Sequence, residues 1–173
     1  MKTKIIFIYI LLILNPIFSD DIVEVVEVID GDTIDVQFSD GSVDRVRFVG
    51  IDCPESFKEN EPDEYEGIES ADYLYEWALK INEYTTSRLL NQQIILQYDS
   101  ISDRRDYYGR ILAYIIIDDI NFNLELVEKG YARAYIEADC ELLNELVVKY
   151  FSIVFSQLNN LLIIYNSPYP TLL

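Results

Sequence analysis

Three β-prone segments joined by two tight turns are the feature of this sequence that most constrains its fold. β-branched residues dominate 22–29, apolar and polar residues alternate in 33–38, and a third such segment covers 43–51. Asp-Gly-Asp separates the first two segments, and Ser-Asp-Gly-Ser separates the second and third. Since turns this short join neighbouring antiparallel strands, the pattern predicts a three-stranded meander.

Alternating helical and extended patterns follow the meander. An acidic loop covers 53–69, and helical spacing of apolar residues then predicts a helix over 69–90. Strands are predicted over 93–98 and 110–117, with a loop over 99–109 between them. A short helix over 123–129 has an asparagine at its start and Gly130 at its end.

An unusually apolar third helix is predicted over 139–162, followed by a tail over 163–173. A helix that is apolar on most sides is buried or contacts a partner. Five strands with a helix after the third indicate an α+β, mainly β domain over 20–162. We predict a five-stranded barrel of the oligonucleotide- and oligosaccharide-binding (OB) type with about three helices.

The first 19 residues have the pattern of a secretory signal peptide. Two lysines precede a short apolar run, and small residues follow at a plausible cleavage site. This pattern predicts export, to a periplasm or the medium; the alternative is an uncleaved N-terminal anchor. Cleavage would remove two lysines and no acid, changing the net charge from −18 to −20. Such a charge disfavours binding to a polyanion unless cations reverse it locally.

The residue types that are missing narrow the chemistry. The chain has no histidine, which excludes Ser-His-Asp and Cys-His catalysis and makes a zinc site improbable. Its two cysteines, Cys53 and Cys140, are either paired or free thiols, and sequence does not decide between these states. Carboxylate, arginine and metal chemistry remain.

Carboxylates and arginines stand at the ends of the predicted strands. Asp32 and Asp52 can meet on one rim of the barrel, where two carboxylates and a carbonyl make an oxygen site suited to calcium. Nearby arginines can bind a phosphate and stabilise transition-state charge, and a further carboxylate can activate water. Taken singly, each residue also has an ordinary structural explanation, such as a turn aspartate or a solvent-facing arginine.

Taken together, three motifs resemble the staphylococcal nuclease (thermonuclease-like) family. They are Asp-Gly-Asp-Thr from Asp30, Arg-x-x-x-x-Asp-x-Pro-Glu from Arg47 and Asp-x-Tyr-Gly-Arg-x-Leu-Ala-Tyr from Asp106. The resemblance extends from about Val25 to Tyr135. It implies the OB barrel and calcium-dependent hydrolysis of DNA and RNA that leaves 3′-phosphate ends.

The resemblance also implies four residues around a calcium ion. Asp32 and Asp52 match the calcium carboxylates, and Asp30 matches an outer acid that orders the metal's water shell. Cys53 occupies the position that supplies a backbone carbonyl, where the family commonly has threonine.

Five more residues match positions that act on the substrate. Arg47 and Arg110 match the two phosphate-binding arginines, and Glu55 matches the proposed general base. Tyr108 and Tyr135 match tyrosines beside the bound nucleotide, although the chain is one residue shorter before Tyr135.

Three departures from the family keep a second hypothesis open. Basic residues are scarce, acids crowd the loop at 59–69, and the third helix is far more apolar than usual. The alternative is a catalytically inactive module that binds nucleic acid or a protein, with the helix at 139–162 contacting a protein or membrane. The sequence leaves the oligomeric state open.

Overall fold

A computed structural model describes residues 20–56, 60, 65 and 70–165, with side chains described as far as residue 156. The strands are β1 (Asp21–Asp30), β2 (Thr33–Gln37), β3 (Val43–Phe48), β4 (Ile51–Asp52), β5 (Gln93–Gln97), β6 (Ile111–Ile117), β7 (Ile120–Asn121) and β8 (Arg133–Ala134). The helices are α1 (Ala71–Leu89), α2 (Phe122–Glu128) and α3 (Leu143–Tyr165).

Five of the strands form a closed barrel. β1 pairs antiparallel with β2 and with β5, while β2–β3 and β5–β6 are also antiparallel. A parallel pairing between β3 and β6 closes the sheet. This arrangement, with three helices around it, confirms the predicted OB-type barrel.

The alternation read from the sequence determines which side chains fill the barrel. Val23, Val25, Ile34, Val36 and Val46 are each at most 2% exposed. They occupy every second position of their strands because successive side chains of a strand point to opposite faces. The outward positions between them remain for charged side chains.

The predicted third strand is shorter than its apolar run. β3 ends at Phe48, and a turn at Gly50 separates it from the two-residue strand β4. Gly50 has a φ of +77°, and a Cβ there would lie 2.7 Å from Leu146 Cδ1 and 2.9 Å from Cys140 Sγ. Glycine therefore allows the chain to bend and α3 to pack directly against the bend.

The first two helices begin at polar caps. Ser70 Oγ accepts a hydrogen bond from Tyr73 N at the start of α1. The cap of α2 is Asn121, whose Oδ1 accepts from Leu124 N at 3.1 Å, rather than the predicted Asn123. Asn123 is fully buried, and its amide joins β6 to the turn after β3: Oδ1 accepts from Ile115 N and Nδ2 donates to Val49 O.

Helix α3 begins at Leu143, four residues later than predicted, because the preceding residues form a turn bound to the barrel. Asp99 Oδ2 accepts hydrogen bonds from Tyr114 Oη at 2.6 Å and from Glu141 N at 2.8 Å. The helix continues to Tyr165, through the start of the predicted tail. Leu146 is fully buried, so the first turns of α3 belong to the core.

The outer face of α3 is apolar and exposed. Val148, Phe151 and Phe155 are 69%, 41% and 61% exposed. Within the part of the chain that the structure describes, no helix has the length and apolarity needed to cross a membrane. The predicted signal peptide at 1–19, most of the acidic loop and residues 166–173 lie outside the described residues.

Candidate active site

The turn between β1 and β2 is held against helix α1. Thr85 Oγ1 donates a hydrogen bond of 2.9 Å to Gly31 O, and Thr85 is fully buried. A Cβ at Gly31 would lie 2.6 Å from Ile81 Cγ2, so only glycine permits this close approach. The turn therefore presents Asp30 and Asp32 from a rigid support.

Asp32 and Asp52 meet through one arginine on β3. The Arg47 guanidinium forms an ion pair with Asp32 Oδ1 through Nη1 and lies 2.6 Å from Asp52 Oδ1 through Nη2. Arg47 Nη2 also donates to Ile51 O at 3.3 Å. Asp32 Oδ2 accepts a hydrogen bond of 2.7 Å from Cys53 N. Four of the predicted site residues thus form one connected network at the barrel rim.

Asp52 has two further partners that the sequence did not reveal. Arg133 Nε donates to Asp52 Oδ2 at 3.0 Å, and the two residues face each other in the β4–β8 pairing. Tyr65 Oη donates to the same oxygen at 3.3 Å. Burial raises the pKa of Tyr65 well above its ordinary value, so the phenol stays neutral and acts as a donor. Nothing in the local sequence marked Arg133 or Tyr65 as a partner of Asp52.

Asp30 is buried below the network. Its Oδ1 accepts from Gly31 N at 2.8 Å and Ser56 Oγ at 3.0 Å, and its Oδ2 accepts from Ser56 N at 3.2 Å. Burial raises the pKa of Asp30; these hydrogen bonds oppose the rise, and the negative charge of Glu55 adds to it. Asp30 and Glu55 therefore interact electrostatically, as two acids of one site would.

The backbone of Glu55 is braced by an asparagine that sequence reasoning missed. Glu55 N donates to Asn60 Oδ1 at 2.7 Å, and Asn60 Nδ2 donates to Glu55 O at 2.9 Å. Asn60 is 6% exposed, so this pairing is largely shielded from water. It orients the chain immediately after Asp52-Cys53-Pro54.

Arg110 and Tyr108 form a second group on the neighbouring strand. Arg110 Nε donates to Asp106 Oδ2 at 2.6 Å, and the Arg110 guanidinium lies 5.4 Å from the Tyr108 ring centroid. Arg110 directly precedes β6, in which Leu112 pairs with Arg47 of β3. Tyr108 is 80% exposed, so its ring is available to a ligand.

Tyr135 lies beside the first network. Its ring centroid is 5.7 Å from the Arg133 guanidinium, and its backbone N donates to Gly50 O at 3.0 Å. Tyr135 is 39% exposed. The ion pair between Arg133 and Asp52 thereby links Tyr135 to the carboxylates.

Both cysteines are free and buried, so the two are not paired with each other. Burial raises the pKa of each thiol, which keeps both protonated at neutral pH. The Cys53 side chain serves as packing, and the role of its backbone carbonyl stays a prediction.

Among the described residues, no three acidic, cysteine or histidine side chains are grouped closely enough to hold a metal ion. The predicted calcium set does not depend on such a group, since it consists of two carboxylates, one backbone carbonyl and an outer acid. Asp32 and Asp52 are the pair that the structure brings to one cation, the Arg47 guanidinium.

Comparisons with known proteins agree with this geometry. The chain is 39% identical over 107 residues to the "Thermonuclease" of Staphylococcus intermedius, covering 62% of this chain and 55% of that protein. It is 41% identical over 122 residues to "Uncharacterized protein MJ1439" of Methanocaldococcus jannaschii, covering 65% and 58%. It is 39% identical over 110 residues to "SPbeta prophage-derived endonuclease YokF" of Bacillus subtilis, covering 62% and 32%. The chain thus spans between a third and three fifths of the length of these relatives.

The family model described as "Staphylococcal nuclease homologue" matches residues 45–148, which include most of β3 with Arg47, the strand β4 with Asp52, and the start of α3. The chain belongs to the staphylococcal nuclease family.

Proposed function

We propose that this protein is a calcium-dependent nuclease that hydrolyses phosphodiester bonds of DNA, RNA or both, leaving 3′-phosphate ends. The observation that carries the proposal is the connection of Asp32, Arg47 and Asp52 in one partly buried network at the barrel rim. Endonucleases among the relatives support the reaction class.

The donors at this rim fit calcium. Asp32 and Asp52 direct carboxylate oxygens at a single cationic group, and calcium prefers hard oxygen ligands of this kind. Asp32, Asp52 and the backbone carbonyl of Cys53 would hold the ion, and Asp30 would order its water shell. A bound calcium ion would supply Lewis-acid stabilisation of negative charge on the phosphate oxygens.

The two arginines would bind the phosphate that is cut. Each is paired with acids in this structure, Arg47 with Asp32 and Asp52, and Arg110 with Asp106. With Asp32 and Asp52 holding calcium instead, Arg47 would be available to bind a phosphate oxygen. This exchange of partners gives a physical reason for calcium-dependent substrate binding in a chain of net charge −18.

The remaining residues would act on water and on the nucleotide. Glu55 would accept a proton from the attacking water, and the water oxygen would bond to phosphorus as the bond between phosphorus and the 5′ oxygen breaks. The phosphate then stays on the 3′ oxygen, and the departing 5′ oxygen takes up a proton. Tyr108 and Tyr135 would contact the nucleotide on either side of the phosphate.

The test is cleavage of single-stranded DNA and RNA with millimolar calcium or with chelator. Arg47→Ala should lose about 10²–10³ in rate, because it removes a donor that stabilises transition-state charge. Arg45→Ala is the matched control, since Arg45 lies two residues earlier on β3 and pairs with Asp35 at 2.7 Å. Arg45→Ala should stay within a few-fold of the unaltered protein.

Survival of both nucleic acids in calcium, with the protein folded, would refute the enzyme. The inactive binding module would then be the better hypothesis. End-group analysis tests the product: fragments with 3′ phosphate and free 5′ hydroxyl accept a phosphate from polynucleotide kinase without phosphatase treatment.

Two further parts of the proposal concern location and partners. We propose that the protein is exported. N-terminal sequencing of protein recovered outside the cytoplasm tests this, and a sequence that begins near Asp20 would support it. We also propose that the outer face of α3 contacts a protein or membrane, because Val148 and Phe155 are exposed. The test compares the amount of protein that co-sediments with membranes, or co-purifies with other proteins, before and after Val148→Ser and Phe155→Ser. Unchanged amounts would contradict this contact.

A further inference from the structure

An aromatic groove lies between helix α1, the segment after α2, and helix α3. Its volume is about 200 Å³. Five aromatic side chains contribute to its lining: Tyr65, Tyr73, Trp77, Tyr131 and Tyr150. The Trp77 ring centroid lies 6.2 Å from that of Tyr73 and 6.1 Å from that of Tyr131, so the Trp77 ring contacts both tyrosine rings.

The groove shares two side chains with the carboxylate network. Arg133 and Tyr65 line it, and both donate hydrogen bonds to Asp52 Oδ2. A ligand in the groove would therefore be separated from Asp52 by a single layer of side chains. None of the roles assigned above uses this groove.

Cationic side chains lie in and beside the groove, although the chain has a net charge of −18. Lys80 Nζ lies 4.1 Å from the Trp77 ring centroid and 5.9 Å from that of Tyr131. Lys129 and Arg133 line the groove. Cations beside aromatic rings suit a ligand that combines a flat ring with a phosphate, and they disfavour a purely apolar occupant.

The size of the groove limits its occupant. Pockets for drug-sized ligands usually enclose roughly 300–1,000 Å³, so this groove accommodates about one ring system. A base within a duplex is stacked and paired, so only an unpaired base can insert between protein side chains without unstacking energy.

We propose that this groove binds one unpaired base of a nucleic-acid strand whose phosphate lies at the Asp32–Arg47–Asp52 network. The base contacts the rings of Tyr73, Trp77 and Tyr131, and Lys80 and Lys129 lie near its flanking phosphates. The inference rests on the proposed nuclease function and deepens it, because it adds a subsite for a base beside the proposed phosphate site.

Trp77 is the only tryptophan of the chain and reports directly on the groove. The experiment titrates the full-length protein, in calcium, with a phosphorothioate-linked oligothymidylate that resists hydrolysis. Its tryptophan emission is recorded along with the anisotropy of the labelled oligonucleotide. We expect the emission to be quenched as the oligonucleotide saturates, and a duplex of equal length to quench it far less.

Two exposed tyrosines of α1 provide a matched pair of variants. Tyr73 and Tyr75 are 47% and 46% exposed, and of the two only Tyr73 lines the groove. Since loss of one stacking contact weakens binding by about 5-fold or more, Tyr73→Ala should show at least that loss. Tyr75→Ala should bind within about two-fold of the unaltered chain, and neither change removes core packing.

Three results would overturn the subsite. They are oligonucleotide binding by anisotropy without any change in Trp77 emission, equal effects of Tyr73→Ala and Tyr75→Ala, and equal quenching by duplex and single strand. Cleavage of unmodified DNA by the same preparation separates the two proposals. Cleavage without quenching refutes the subsite alone, whereas quenching without cleavage supports the subsite and refutes the nuclease.

Discussion

Replacing Thr85 by valine tests whether helix α1 supports the turn that carries Asp30 and Asp32. The substitution keeps the branched shape of the side chain and removes its hydroxyl, which donates to Gly31 O at 2.9 Å. Thr85 is 0% exposed, so water does not readily replace the lost donor. A buried carbonyl left without its partner costs about 1–3 kcal/mol.

Urea unfolding measures this cost. For a domain of this size the dependence of unfolding free energy on urea is about 2 kcal/mol/M, so the midpoint should fall by about 0.5–1.5 M. The slope should not change, because the variant unfolds the same surface. Under the proposed calcium site, calcium should also raise the midpoint of the variant, because the ion would bind the folded turn.

Thr86→Val is the control on the same helix. The Thr86 hydroxyl donates to Asn82 Oδ1 at 3.2 Å, and Thr86 is half-buried, so water can replace its contact. Both variants carry the same helix propensity change. A midpoint shift in Thr85→Val no larger than that in Thr86→Val would refute the support assigned to the Thr85 hydroxyl.

Three other perturbations have definite expected outcomes. Gly50→Ala should lower the free energy of unfolding, measured by thermal unfolding, by about 2–4 kcal/mol, because its Cβ would meet Leu146 and Cys140 at a φ of +77°. Gly41→Ala is the control: at a φ of +86° in open space, it should lower this free energy by only about 1–2 kcal/mol. Asn123→Ala should lower the free energy of unfolding, measured in denaturant, by about 2–4 kcal/mol, because Ile115 N and Val49 O lose their hydrogen-bond partners. A decrease no greater than that of Asn144→Ala, at an exposed position, would contradict this. Both thiols should resist a thiol reagent at pH 7–8 in the folded protein, since burial raises their pKa, and both should react after denaturation. Fast reaction of the native protein would show that the thiols are accessible.

Local patterns were sufficient for the order of the five barrel strands and the three helices, but they did not mark the short strands β4, β7 and β8 as separate elements. Period-two alternation marks β2 and β3, because a strand turns every second side chain toward the core. Helical spacing marks α1, because a helix turns every third or fourth side chain toward the core. The errors occurred at boundaries, where the cap of α2 is Asn121 and α3 begins at Leu143. In both cases tertiary hydrogen bonds set the position at which the helix begins. The Asn123 amide binds β6 and the turn after β3, and Asp99 holds the turn before α3.

Partners that are distant in sequence could not be assigned in advance. Asp52 binds Arg133, which is 81 residues away, and Thr85 binds Gly31, which is 54 residues away. Neither arginine nor threonine at these positions has a local signature, because each contact exists only after the barrel has closed.

The sequence by itself determined the barrel class and the family, and it predicted which acids and arginines form the site, because these follow from local periodicity and from motifs of fixed spacing. Tertiary structure alone decided how those groups are paired: Arg47 with Asp32 and Asp52, and Asp52 with Arg133. It also placed an aromatic groove beside Asp52, lined by α1, the segment after α2, and α3. The physical reason is that hydrogen bonds and ion pairs depend on distances between side chains, and closure of the barrel sets those distances across segments that local sequence does not relate.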